Sequence, residues 1–223
     1  MAFQDDDREE EARKLFNLKK PDTGRSGTDA VSPEKLKKSG SSKSEIIEFE
    51  LKTVGTGKGV TTVRDFSPDH IKKWAKKYWI VGVYKNNILQ HYHVGTPNDM
   101  KMWIKEKEEY IQKDFELAKL IPKKISKNDL FVLLGKKEKY SYEDAKKLHK
   151  RQYTKSKYEE LMDLDEGYSP EKMLEILKDR IKYLVERGST LNNPHIPPDV
   201  YAEFPKIKKN YASKLRHLIK TRK

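Results

Sequence analysis

The hydrophobic pattern opens helical: from about Asp6 to Leu18, the residues Ala12, Leu15, Phe16 and Leu18 recur at roughly helical spacing, with acidic residues in the first turn, where the helix dipole favours them. It then becomes extended. "GTDAV" (27–31) predicts a short strand after a Gly-containing turn, and in "EIIEFELKTV", beginning at Glu45, the apolar Ile47, Phe49 and Leu51 alternate with Glu48, Glu50 and Lys52. The intervening "KLKKSGSSKS" (35–44) reads as a loop, "TGKG" (56–59) as a turn, and the β-branched "VTTVRDF" (60–66) predicts a third strand. Ser67, Pro68 and Asp69 signal a helix start, a capping Ser ahead of a Pro in the first turn, and that helix runs through Ile71 and Trp74 to near Lys77. "YWIVGVY" (78–84) is almost wholly apolar, as expected of a strand buried on both faces. Asn86 and Asn87 then turn the chain into a hairpin partner, "ILQHYHV".

From Pro97 the pattern is helical again, with Met100, Trp103, Ile104 and Tyr110. Beyond Leu120 everything reads as helix: "SKNDLFVLLG" has a Ser cap and a terminal Gly, "SYED" (141–144) is a capping box, and "SPEKMLEILKDRIKYLVERG" runs from Ser-Pro to a Gly stop. The order αβββαβ, followed by an edge strand and helix, predicts an α+β core over residues 1–120. A helical region, 121–223, completes one compact unit with it. No repeat of 20 to 50 residues is visible.

Composition narrows the partners. The 223 residues are 35% hydrophobic and 37% charged, polar for a folded protein yet with enough periodic apolar positions for a core. A formal net charge of +13, dominated by Lys, favours a polyanion, with nucleic acid first among the candidates. No helical segment sets a basic face against a Trp/Phe/Leu face, and no apolar run approaches the ~18 residues of a bilayer span, so no membrane partner is expected. The N-terminal "MAFQDDDREEEARKLF" does not read as a secretory signal, and without cysteine there is neither a disulfide framework nor a thiolate metal site, which makes the cytoplasm the expected location.

An acidic residue, one spacer and Lys occur at Glu50–Lys52, Asp99–Lys101 and Asp144–Lys146. Only the first falls on a strand, where residues two apart share a face and converge on one ligand. Asp29, on the preceding extended run, approaches the same point if the two runs pair. Two carboxylates suit a hard cation such as Mg²⁺, and Lys52 beside them would orient an attacking water and offset charge developing on a phosphate. Glu48 shares their face but lies a full pleat away, and reads as a neighbouring polar residue.

Asp29, then Glu50-Leu51-Lys52 at a spacing of 21 residues, in an αβββαβ order, resembles the PD-(D/E)XK nuclease superfamily. The run "GTDAV...FELKT...TTVRDFSPDHIKKW...YWIVGVY" looks especially like the type II restriction endonucleases, over about residues 5–112. The resemblance implies a restriction-endonuclease-like core with a mixed central sheet flanked by helices. It also implies Mg²⁺ held by Asp29 and Glu50, and a Lys52 that serves the nucleophilic water. Pro21-Asp22 is a literal "PD" and an alternative first ligand, but "KKPDTGRSG" reads as a turn-rich loop whereas "GTDAV" is strand-like. In such enzymes a Glu of the first helix often approaches the metal; Glu10 or Glu11 would be that residue here.

For DNA contacts the candidates are Arg25, Ser26 and Thr28 beside Asp29; Lys58, Thr61, Thr62 and Arg64 after the active strand; and Asn192, Asn193 and His195 in "RGSTLNNPHIPPDV". His91 and His93 share a strand face but lack a third ligand at telling spacing, so they read as a solvated hairpin face. Trp74, Tyr78 and Trp79 read as helix-on-sheet packing. The expected function is a Mg²⁺-dependent, sequence-specific double-stranded DNA endonuclease of restriction type, a homodimer because two-fold symmetric DNA needs two related active sites. In it, residues 121–223 serve dimerisation or DNA clamping. The alternatives are a repair or junction nuclease of the same fold and a non-catalytic basic DNA-binding protein.

Overall fold

The computed structural model describes residues 2–21 and 27–222, with side chains of the first helix from Asp6 onward. The elements run α1 (Ala2–Phe16), β1 (Ala30–Val31), β2 (Leu36–Lys37), β3 (Ser44–Glu45), β4 (Glu48–Gly55), α2 (Pro68–Trp74), β5 (Tyr78–Lys85), β6 (Ile88–Gly95) and α3 (Pro97–Lys124). They continue with α4 (Lys127–Leu134), α5 (Tyr142–Leu148), α6 (Lys155–Glu160), α7 (Pro170–Gly188), α8 (Pro198–Ala202), β7 (Lys206–Ile207) and α9 (Tyr211–Thr221). The class is mixed α+β, and among the described residues no helix is long and apolar enough to cross a membrane.

The alternation at 47–52 builds the strand on which the first unit is organised. A five-stranded sheet has the order β1-β4-β5-β6-β7, parallel between β4 and β5 and antiparallel elsewhere. Phe49 and Leu51 of β4, Ile80 of β5 and Tyr92 and Val94 of β6 share one cluster with Ala12 and Phe16 of α1 and Leu215, Leu218 and Ile219 of α9, so those two helices cover one face. On the other, Trp74 of α2 meets Trp79 of β5 edge-on at 5.1 Å between ring centres, and Trp103 of α3 lies 6.4 Å from Trp74. Burial on both faces accounts for the uninterrupted apolar run of β5.

Three expectations about elements and domain limits need correction. Residues 60–66 do not form a third strand: only Val60 and Phe66 make bridges, to Ile196 and Leu191, because their pairing partner is another loop. Residues 35–44 are not all loop, since Leu36 and Lys37 pair with Glu45 and Ser44 in a two-stranded ribbon. The chain also divides differently. Residues 1–110 with 191–223 form one compact unit and residues 111–190 another, so the last 33 residues return to the sheet unit. They return because α9 carries Leu215, Leu218 and Ile219 on one face, and β7 adds a fifth strand. The second unit is helical, closed around Leu130, Tyr140, Tyr158, Tyr168, Met173 and Ile176. Its helices start where the Ser signals place them: Ser141 Oγ accepts from the Asp144 amide at 3.2 Å and Ser169 Oγ from the Lys172 amide at 3.1 Å.

His93 is 3% exposed and not part of a solvated hairpin face, because the segment entering β7 covers its edge of the sheet. Its Nδ1 lies 3.1 Å from the Phe204 carbonyl, which only accepts, so Nδ1 carries the proton and Nε2 a lone pair facing His91 Nε2 at 3.1 Å. The same segment explains Gly95: a Cβ there would stand 2.6 Å from Cε2 of Phe204.

Gly95→Ala should therefore destabilise the chain by about 1–3 kcal/mol, and most of that cost should vanish in a Phe204→Ala background, as read by chemical denaturation. Equal cost in both backgrounds would show that Phe204 does not pack there. Burial, opposed by the hydrogen bond to the Phe204 carbonyl and aided by Lys206, lowers the His93 pKa, while burial, His93, Lys206 and Lys208 lower that of His91. Folded values below the ordinary 6.5 mean that the unfolded chain binds more protons. The stability these groups contribute is present above pH 6.5 and is lost as pH falls through the folded values. The melting temperature should fall by a few degrees between about pH 7.5 and about pH 5, and less so in His91→Gln; an identical fall in the variant would exclude His91 as a contributor.

Candidate active site

On β4 the period of two puts Glu50 and Lys52 on one side of the sheet while Phe49 and Leu51 go into the core, at 0% and 2% exposure. Asp29 immediately precedes β1, whose Ala30 pairs with Phe49. Beyond that pair the ladder is continued by a side chain: Asp29 Oδ2 accepts from the Leu51 amide at 2.9 Å, which fixes the carboxylate against β4. The three residues singled out by sequence thus meet. Lys52 Nζ donates to Glu50 Oε1 at 2.9 Å and to the Leu51 carbonyl at 3.1 Å, and lies 3.6 Å from Asp29 Oδ2.

A second cation, which sequence reasoning missed, completes the cluster. Lys77, in the turn between α2 and β5, is fully buried and places Nζ 3.0 Å from Glu50 Oε2. Burial works against the charge of Glu50, but Lys52 and Lys77 outweigh it and hold the carboxyl below the usual carboxylate range. Burial likewise opposes the Lys52 charge, and Glu50 and Asp29 reverse that, raising its pKa. Lys52 is therefore an ammonium, a donor and not a base. Lys73 feels the same cluster: burial, opposed by Glu50, and the neighbouring Lys77 charge bring its amine below the ordinary lysine value.

On the first helix it is Glu9, rather than Glu10 or Glu11, whose carboxyl is felt by Asp29 and Lys52. Burial and then the Asp29 charge raise the Glu9 pKa, with Lys52 and Arg13 opposing. Arg13 also donates to the Asp29 carbonyl at 3.3 Å. Glu10 instead pairs with Arg13 at 3.0 Å and with Lys14 at 3.7 Å, and Glu11 accepts from the Tyr84 hydroxyl at 3.0 Å. The helix phase set by Ala12 and Phe16, one and two turns on from Glu9, could have identified it. Glu48 is exposed and accepts from Thr28 at 3.0 Å, apart from the cluster.

The donor set fits a hard divalent ion. Two carboxylates and one carbonyl surround a single ammonium, and oxygen ligands completed by water are what Mg²⁺ takes. Among the described residues no group of three or more His, Asp or Glu side chains gathers to hold a metal, so water and substrate oxygens would supply the other positions.

The DNA candidates fall into two groups that the fold unites. Val60 and Ile196 exchange backbone hydrogen bonds of 2.8 and 3.0 Å, Phe66 and Leu191 bonds of 2.8 and 3.1 Å, and Asn193 donates its amide to the Val63 carbonyl at 3.0 Å. Thr62 Oγ1 donates to the Pro194 carbonyl, which gives Thr62 a structural role. Trp103 Nε1 holds the His195 carbonyl at 3.2 Å. Lys58, Thr61, Arg64, Asn192 and His195 are exposed on this two-ply loop. Asp22, Arg25 and Ser26 lie outside the described residues.

A scan against protein-family models and a search of curated proteins both return no match to this sequence.

Proposed function

We propose that the chain is a Mg²⁺-dependent endonuclease for double-stranded DNA, sequence-specific and of the restriction type its sequence resembles, with a restriction-endonuclease-like core. The observation that carries this reading is the meeting of Asp29, Glu50 and Lys52 around one shared position. Asp29, Glu50 and the Leu51 carbonyl would hold Mg²⁺, which when bound supplies a Lewis acid and acidifies a water. Lys52, kept charged by its neighbours, orients the attacking water and offsets negative charge on the phosphate as the phosphodiester breaks. Asp29 stays fixed through its hydrogen bond to Leu51.

The net charge of +13 supports a polyanionic substrate, and the paired loops 58–66 and 191–196 are the proposed groove contact. Lys58 and Arg64 meet phosphates there, and Asn192 and Asn193 are the candidates for base edges. Two-fold symmetric DNA calls for a homodimer. Its surface is assigned to the helical unit, where Leu117, Leu120, Val132 and Leu133 are 56%, 51%, 86% and 50% exposed.

Incubated with plasmid DNA and Mg²⁺, the protein should give discrete bands. Asp29→Ala, Glu50→Ala and Lys52→Ala should each lose cleavage by on the order of 100-fold or more, whereas Glu48→Ala should stay within about twofold of wild type. Normal cutting by folded Glu50→Ala or Lys52→Ala sinks the proposal. Smears or junction-only cutting would instead identify a structure-specific nuclease, and salt-sensitive DNA retention without cleavage a binding protein. In a second measurement, Lys58→Ala and Arg64→Ala should each weaken DNA binding and reduce the slope of log affinity against log salt by about 1. Unchanged slopes in both would remove the loop from the DNA surface.

A further inference from the structure

Glu50 has two carboxylate oxygens, and each has its own ammonium. Oε1 faces Lys52 at 2.9 Å and Oε2 faces Lys77 at 3.0 Å. The two cations differ in their freedom. The Lys52 side chain is 19% exposed and its Nζ is the atom that Asp29 Oδ2, Glu50 Oε1 and the Leu51 carbonyl share. The Lys77 side chain is 0% exposed, and its backbone amide is tied to the Trp74 carbonyl at 3.2 Å just before β5 begins. A divalent cation using those shared oxygens must evict the Lys52 ammonium, which has solvent to move into. Lys77 has none, and a lysine cut off from both water and a counter-charge is costly.

We propose that Lys77 is a positioning residue: the fixed counter-ion that holds Glu50 by Oε2 and aims Oε1 at the cation position, while Lys52 is an exchangeable occupant that leaves the carboxylates when the metal enters. The assignment rests on the metal-site reading above. Glu50 then offers the metal a single oxygen, which suits an octahedral ion that keeps several waters. The charge balance also follows. With Lys77 fixed and Lys52 displaced, Asp29 and Glu50 leave one uncompensated negative charge. A divalent ion converts it to one positive charge, and that charge, with the displaced Lys52 ammonium still beside the site to meet the phosphate, attracts a phosphodiester. Metal and DNA therefore each bind tighter in the presence of the other.

Two measurements test this. In the first, wild-type protein is acetylated with an amine reagent, with and without Mn²⁺, and the labelled lysines are identified by mass spectrometry. Lys52 should become several-fold more reactive with Mn²⁺, and Lys77 should stay unlabelled in both; Lys52 remaining protected, or Lys77 becoming labelled, overturns the assignment. No variant is needed, so this result stands even if Lys77→Met does not fold. In the second, Mn²⁺ binding is measured by calorimetry. Lys77→Met should weaken it by on the order of tenfold or more, as loss of an orienting partner does, and Lys77→Met/Glu50→Gln should be more stable than Lys77→Met alone because the buried oxygen that faced Lys77 no longer carries charge without its counter-ion. Unchanged Mn²⁺ affinity in folded Lys77→Met overturns the role of Lys77 and leaves the metal site standing. Failure of the wild type to bind Mn²⁺ at all overturns both.

Discussion

A carboxylate with 4% of its surface exposed remains ionised only where the protein supplies positive charge at contact distance, and Glu50 obeys that constraint twice over. Lys52 comes from its own strand and Lys77 from the connection that leads into the next one. The ion cluster is therefore not an addition to the sheet. It is made by the same pairing that makes the sheet, since Glu50 sits opposite Trp79 and Lys77 stands two residues ahead of Trp79. Any slip of β4 by one residue would exchange Glu50 and Lys52 for Phe49 and Leu51, leaving a charge in the core and an apolar pair at the site. Packing and charge thus select the same register.

That double selection explains why the centre of the site was legible in sequence. Ile47, Phe49 and Leu51 report the face, and once the face is known Glu50 and Lys52 must share the other one. Asp29 was legible because the strand it leads into is short and extended. The Ser67, Ser126, Ser141 and Ser169 helix starts were legible for the same reason, since a cap involves residues within one turn of each other. What could not be read is non-local. Residues 60–66 have strand-like composition, yet their partners at 191–196 lie some 130 residues away and meet them in two isolated bridges and single hydrogen bonds, not a continuous ladder. In "KKWAKKYW" nothing distinguishes Lys77 from Lys72, Lys73 or Lys76 until the tertiary fold buries one of them. Nothing local in α9, where Lys214, Arg216 and Lys220 are interspersed with the apolar residues, shows that Leu215, Leu218 and Ile219 pack into the cluster under the sheet.

On the proposed function, the parallel pairing of β4 and β5 ties recognition to chemistry. Parallel neighbours cannot be joined by a tight turn and need a crossover of a dozen residues or more. Here the crossover, residues 56–77, does more than return the chain. Its first half pairs with 191–196 and exposes Lys58, Thr61 and Arg64; its second half is α2, followed by Lys77. The loop proposed to meet DNA and the lysine that fixes Glu50 are the two ends of one short segment, braced at its middle by Phe66 against Trp74 and near its Lys77 end by Trp74 on Trp79. On the proposed function, a shift of that segment on binding DNA would act directly on the counter-ion of Glu50. The architecture that places the cations is then also the shortest covalent path between the two sites, and coupling between them needs no element beyond α2.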